Sequence, residues 1–206
     1  MSQGPDSGAT FELDASGASI TVDPASGTVA VRQGRFARIL SFDEALLLAF
    51  RRFHRPWRTA LARALTHAGD AKTWTFVGVA LLAARTATGV HLGLRLGAAT
   101  LLATAFVQVL KRSLTRPRPD ASIVGFEALA SNPDRFSFPS GHTAAAFSVA
   151  IAWASEPYGL GPAALLLAGG IGLSRVYLGA HYPLDVAAGM LIGTVSGLVS
   201  RLLVNG

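Results

Sequence analysis

Five long apolar runs occupy the second part of the chain: Thr73 to about Val90, about Leu94 to Leu110, His142 to about Ser155, Leu160 to about Val176, and Leu184 to about Val204. Each is roughly 14–21 residues long, near or below the ~20 that carry a helix straight across a bilayer, so they predict membrane spans with soft boundaries. Arg85 falls near one end of the first, where a long cationic side chain can reach back to the interface. Small residues recur, as in Gly169-Gly170-Ile171-Gly172 and the Gly-x-x-x-Gly of Gly189 and Gly193, a spacing that lets helices approach closely. Upstream, Ser41 to about Phe53 reads as a helix with Ser41 as N-cap and Glu44 completing a capping box. Its apolar centre is too short to span, which predicts an interfacial helix. Residues 51–72 mix Arg51, Arg52, Arg55, Arg58, Arg63 and Lys72 with Trp57, the composition of a segment at headgroup level.

Residues 1–38 break this pattern. They are polar, carry no signal-peptide pattern, and alternate weakly at Thr10–Leu13, Ser19–Val22 and Thr28–Val31 between turn-like segments. A small β-meander and a disordered tail both fit, and nothing there carries chemistry. The expected architecture is therefore all-α: a polar N-terminal tail or meander over 1–38, then a polytopic bundle of about five to six helices over 39–206.

Composition supports a membrane setting. Only 15% of the 206 residues are charged, against the ~25% usual for soluble domains, and mean hydropathy is +0.42. The net charge of +6 could suggest nucleic acid, but the basic residues cluster beside apolar runs, which fits anionic headgroups or a phosphorylated substrate better. The absence of cysteine removes disulfides, thiol nucleophiles and thiolate metal sites.

Three stretches carry candidate chemistry. Lys111 and Arg118 lie seven apart at the end of the second run, with Pro117 and Pro119 stopping any helix beyond about Thr115. Alone, this reads as a basic anchor to lipid headgroups. Phe138-Pro139-Ser140-Gly141-His142-Thr143 precedes an Ala-rich helix. Ser140 suits its N-cap, and the outward N–H groups of Gly141 and His142 suit an anion. Ser174 to Asp185 places Arg175 six residues before His181 and Asp185 four after it, so a helical chain would set the carboxylate beneath the imidazole. A carboxylate on one ring nitrogen fixes the tautomer and leaves the other nitrogen to attack. All these groups fall at the ends of runs two and four or the starts of runs three and five, which share one membrane face in an alternating bundle. His54, His67 and His91 match no such position and read as headgroup or helix-end residues.

In that order, Lys-x6-Arg-Pro, Pro-Ser-Gly-His and Ser-Arg-x5-His-x3-Asp resemble the signature of the type 2 phosphatidic acid phosphatase superfamily. Every signature position is matched within residues 111–185, and the apolar pattern extends the likeness to about 41–204. The resemblance implies a phosphohistidine on His181, oriented by Asp185. It implies His142 as proton donor to the leaving group, with Lys111, Arg118, Arg175, Ser140 and the Gly141 N–H on the phosphoryl oxygens. No cofactor is implied. No metal is expected either, because three fixed cations would repel a divalent ion, and Asp120, Glu127 and Asp134 read as scattered in one loop.

The expected reaction is metal-independent hydrolysis of a phosphate monoester or diphosphate on a membrane lipid: phosphatidic acid, phosphatidylglycerol phosphate or a polyprenyl (di)phosphate. A polyprenyl sugar phosphate, lipid A or lipid phosphotransfer through the same site are the alternatives. The partners expected are the lipid substrate and the bilayer, with no nucleic acid; oligomeric state is left open. Phe126, Phe136 and Phe138 are expected to cap the site. The resemblance further implies an inner-membrane protein whose site faces outward. A soluble haloperoxidase or acid phosphatase and a non-catalytic phosphate binder are the rival readings; the five apolar runs oppose the first, and the intact His181, Asp185 and His142 oppose the second.

Overall fold

A computed structural model describes residues 35–131, 134–154 and 160–205, with the backbone of 9–12, 19–22 and 29–32. The chain forms two compact units, 1–46 and 47–206. In the first, β1 (Ala9–Glu12), β2 (Ser19–Val22) and β3 (Val29–Arg32) pair antiparallel in the order β1-β2-β3. Glu12 stands opposite Ser19, and Val22 opposite Val29.

Helix α1 runs Arg35–Phe50 and continues as a 3-10 turn, Arg51–Phe53. The expected start at Ser41 is corrected: Ser41 lies inside α1, where its hydroxyl donates to the Arg38 carbonyl (2.9 Å) instead of capping. Serine suits both roles, and only the residues before it decide which it takes.

The second unit holds α2 (Pro56–Ala68), α3 (Ala71–Ala83), α4 (Ala87–Leu114), α5 (Pro119–Ser122), α6 (Gly141–Trp153), α7 (Gly161–Tyr177) and α8 (Pro183–Asn205). Proline in the first turn opens α2, α5 and α7, where its missing N–H costs nothing. The first two apolar runs divide earlier than expected. The break falls at 84–86, where Arg85 has φ +53° and Thr86 accepts from the Gly89 N–H (3.0 Å), so residues 87–93 belong to α4. Helix α4 ends at Thr115, with φ +41°.

By length and composition α4 and α8 are the two described helices able to cross a membrane. Each buries only a minority of its apolar window, 39% and 33%. Leu101, Phe106 and Val109 on α4 and Leu191, Leu202 and Leu203 on α8 face outward. So broad an apolar exterior calls for lipid, not water.

Helix α6 is the core of the bundle. Ala146, Phe147 and Ala150 pack with Ala168 and Ile171 of α7, Val149 and Ala152 with Leu92, Leu96 and Ala99 of α4, and Ala144 with Ala103 and Val107. Helix α8 approaches until glycines meet its backbone: a Cβ on Gly189 would lie 2.6 Å from the Ser140 carbonyl oxygen, and one on Gly193 would strike the Ala144 carbonyl. At the far end Arg95, buried in α4, donates to the last carbonyls of α6 through Ala152 (3.3 Å), and His91 Nε2 donates to Val204 in α8 (3.2 Å). Cationic and polar donors thus meet carbonyls in the last turns of two helices.

The glycine seam yields a test. Gly193→Leu should cost about 1–3 kcal/mol through overpacking, read as a lower unfolding midpoint in detergent. An unchanged midpoint would mean that α6 and α8 are not held backbone to backbone.

Candidate active site

Four segments converge at one end of the bundle: the last turn of α4 with the chain to Arg118, the N-terminus of α6, the last turn of α7, and the loop 178–182 leading into α8. Their junctions are backbone hydrogen bonds. The Ser140 N–H donates to the Asp185 carbonyl (2.9 Å), which locks the start of α6 to the start of α8, and the Ala180 N–H donates to the Arg175 carbonyl (3.0 Å).

His181 lies in the loop and is buried. Its Nε2 faces Arg118, 3.4 Å from Nη1, and its Nδ1 faces Asp185, 3.6 Å from Oδ2. That second distance exceeds a hydrogen bond, and Nδ1 has no other partner. The helical spacing expected between the two residues begins only at Pro183, so the carboxylate lies beside the ring rather than beneath it. Burial first, then the charges of Arg175, Arg118 and Lys111, push the His181 imidazole well below its usual pKa. The ring is therefore neutral at physiological pH, with a carboxylate on the Nδ1 side and guanidinium on the Nε2 side.

Asp185 is buried and already engaged. Its Oδ1 accepts from Arg116 Nη1 (2.8 Å) and its Oδ2 from the Tyr182 N–H (2.9 Å). Arg118 is buried, donating to the Ala180 carbonyl (2.7 Å) and to both the backbone (2.9 Å) and the carboxylate of Asp134. Lys111 Nζ donates to the same carboxylate (2.5 Å). Burial alone would raise the Asp134 pKa, but the hydrogen bonds and charges of Lys111 and Arg118 outweigh it and hold the carboxyl below its usual value. Arg175 is buried and bonds Thr66 on α2. His142 Nε2 pairs with Asp70 (2.9 Å), whose other oxygen meets His67 (3.3 Å).

Ser140 occupies the N-cap of α6, but its hydroxyl pairs with Thr143 Oγ1 (2.9 Å) and caps no N–H. Gly141 begins the helix, and a Cβ there would meet nothing closer than Val107 at 3.7 Å. One cavity of about 410 Å³ is lined by Arg63, Thr66, His67, Asp70, His142 and Arg175 together with the 129–131 loop. A second, about 450 Å³, is lined by Arg118, Asp120, Asp134 and Phe136 and shares Ala130 and Ser131 with the first.

The eight residues singled out in the sequence thus lie within this junction. Reading the sequence found Asp185 but missed Asp70, Asp134 and Arg116 as members of the junction. Asp134 is not a loose loop residue but the partner of two cations, and Asp70 is reached from a connection 72 residues before His142. No motif spacing marks either one. Phe126 is also corrected: it packs in a buried cluster with Leu47, Val176, Tyr182 and Val186, against the Cβ-free face of Gly179 (φ +71°), and lines neither cavity. Among the described residues no three His, Asp or Glu side chains converge in a set that could hold a metal ion.

A family model described as the PAP2 superfamily matches residues 92–206. The chain belongs to the PAP2 superfamily. The decaprenylphosphoryl-5-phosphoribose phosphatase of Mycobacterium tuberculosis is 32% identical over 171 residues, which are 81% of this chain and 89% of that protein. The lipid A 1-phosphatase of Rhizobium etli is 36% identical over 101 residues, 46% of this chain and 43% of that protein. Among solved structures, LpxE of Aquifex aeolicus superposes with a TM-score of 0.67 at 29% identity, covering 77% of this chain and 93% of that one. A transmembrane PAP2-type phosphatidylglycerolphosphate phosphatase from Bacillus subtilis gives 0.64 at 27%, covering 81% and 86%. Like the transmembrane neighbour from Bacillus subtilis, the chain is a membrane protein.

The depressed His181 pKa has a sign that can be measured. Below the ordinary histidine value the unfolded chain binds a proton that the folded chain refuses, so stability falls as pH drops through that range, by at most about 1.4 kcal/mol per pH unit. Unfolding midpoints in detergent should fall from about pH 6.5 downward, and fall less steeply in His181→Gln. An equal slope in the variant would show that His181 is not held neutral.

Proposed function

We propose that this chain removes a terminal phosphate from a membrane lipid by transferring it to His181 Nε2 and then to water. That the chain is a phosphatase follows from its superfamily and from its relatives' activities. The observation that carries the assignment of His181 is its placement: a buried neutral imidazole, a carboxylate beside Nδ1, and Arg118 3.4 Å from Nε2. Asp185 accounts for the tautomer, since a proton on Nδ1 is drawn toward it and leaves the Nε2 lone pair facing the cations. Lys111, Arg118 and Arg175, with Ser140 and the Gly141 N–H, bind the phosphoryl oxygens, whose charge spreads over three equatorial positions in the transition state. Guanidinium groups match that geometry in pairs. His142 gives its proton to the departing oxygen and later draws one from the attacking water; Asp70 on its Nε2 keeps the imidazole supplied with a carboxylate partner.

The phosphate is lipid-borne because the cationic junction ends a bundle with an apolar exterior. A headgroup can occupy the junction while its tail stays among the helices. Similarity over most of both chains to the mycobacterial phosphatase favours a polyprenyl-linked sugar phosphate, ahead of phosphatidic acid, phosphatidylglycerol phosphate and lipid A. Helices α4 and α8 make full crossings, and the shorter apolar helices α3, α6 and α7 are embedded beside them, with residues 1–38 outside the catalytic part. The site opens on the outer face of a bacterial inner membrane.

Three measurements test this reading. Phosphate release from a panel of lipids in detergent should be fastest with the polyprenyl sugar phosphate and unchanged by EDTA; a preference for phosphatidic acid would overturn the substrate class. His181→Ala should abolish turnover and acid-labile phosphoenzyme in a folded protein, while His142→Ala should slow alkyl phosphates far more than an activated aryl phosphate. Equal losses on both esters would remove the acid role. For orientation, Ser122 is exposed beside the site, so Ser122→Cys should react with an impermeant thiol reagent in intact cells; reaction only after permeabilisation would place the site inside.

A further inference from the structure

Arg116 stands two residues before Arg118 in the same basic stretch, yet its side chain goes elsewhere. It lines neither polar cavity, although Thr115, Pro117 and Arg118 line one of them. Instead Nη1 donates to Asp185 Oδ1 at 2.8 Å, and the guanidinium lies over the Tyr182 ring, 3.9 Å from its centroid. That ring is pinned in turn by Tyr182 Oη and Ser122 Oγ at 2.6 Å. The Arg116 backbone is fixed as well, its carbonyl accepting from the Ser137 N–H at 2.8 Å. In this ion pair the Arg116 side chain is 17% exposed and that of Asp185 0%.

A fully buried carboxylate is stable as an anion only beside a countercharge. His181 does not supply one: its ring is neutral, and Nδ1 is 3.6 Å from the nearer oxygen. Lys111 and Arg118 face Asp134, and Arg175 faces Thr66.

We propose that Arg116 is a positioning residue, which keeps Asp185 charged and aimed at His181 Nδ1 and does not bind the phosphate itself. Asp185 is then held from two sides, Arg116 on Oδ1 and the Tyr182 N–H on Oδ2, which fixes the carboxylate beside the imidazole. As the imidazole becomes positive on taking the phosphoryl group, the anion fixed beside Nδ1 stabilises it without moving. The inference rests on His181 as the nucleophile.

The test is a double-mutant cycle with two readouts. With the best lipid phosphate from the panel, Arg116→Gln should lower kcat and the rate of phosphoenzyme formation about 10–100-fold, with KM changed less than about twofold. Arg116→Lys or added guanidinium ion should recover part of the rate. In an Asp185→Asn background Arg116→Gln should cost nothing further. A raised KM with kcat intact, losses that multiply in the double variant, or full activity would each overturn the proposal. The second readout needs no turnover: the fall in unfolding midpoint caused by Arg116→Gln should vanish when Asp185 is already Asn. If wild type releases phosphate from no lipid, the functional reading fails, while this midpoint cycle still decides whether Arg116 acts on Asp185.

Discussion

The close approach of α6 and α8 fixes everything at the catalytic end. Where Gly189 and Gly193 lie against the carbonyls of Ser140 and Ala144, the two helices are separated by backbone alone. At that distance the Ser140 N–H reaches the Asp185 carbonyl, and the N-cap of α6 is tied to the first turn of α8. His142 and Asp185 are therefore not placed by loops. They extend from the ends of two helices whose spacing cannot vary without driving atoms together. A site that must hold an imidazole beside a phosphoryl group within fractions of an ångström benefits from resting on such a contact.

Charge compensation is the second constraint. Lys111, Arg118 and Arg175 are all buried, in a protein whose exterior is apolar, and charges removed from water are tolerated only when answered. The answers are local: Asp134 for Lys111 and Arg118, the Thr66 hydroxyl and carbonyl groups elsewhere. The same rule explains Arg116 and Asp185, where the cation serves the anion. Charged residues are scarce in this chain, as suits a surface that faces lipid, and at the junction Lys111, Arg116 and Arg118 are answered by carboxylates.

This also explains what the sequence could and could not reveal. Helix α8, α7 and α6 were legible to within a residue or two because long apolar runs end in proline, glycine or polar residues. The division between α3 and α4 was not, since Ala84-Arg85-Thr86 interrupts an apolar stretch with a turn of no distinctive composition. Ser41 misled because a serine-x-x-glutamate pattern inside a helix looks like one at its start. Motif residues were visible because their spacing is set by helix ends. Asp70, Asp134 and Arg116 were not, because each reaches its partner across tertiary distance: 72 residues for Asp70 and His142, 69 for Arg116 and Asp185. Arg116 and Arg118 are chemically identical and two positions apart, and only the fold separates the one that serves a carboxylate from the one beside His181 Nε2.

The carboxylate on Lys111 and Arg118 changes how phosphate affinity should be understood. A charge-assisted hydrogen bond contributes roughly 1.5–3 kcal/mol against water, but under the proposed role of Lys111 and Arg118 an incoming phosphate replaces Asp134 rather than water. The net gain is the difference between a phosphoryl oxygen and a carboxylate oxygen on the same donors, far smaller than a count of cations suggests. Ground state and transition state pay the same displacement, so affinity is held down while the difference between them, which sets the rate, is kept. A cluster of three cations left to bind phosphate unopposed would retain its inorganic product. One answered by a carboxylate on a loop can return to its own ion pairs and let the phosphate go.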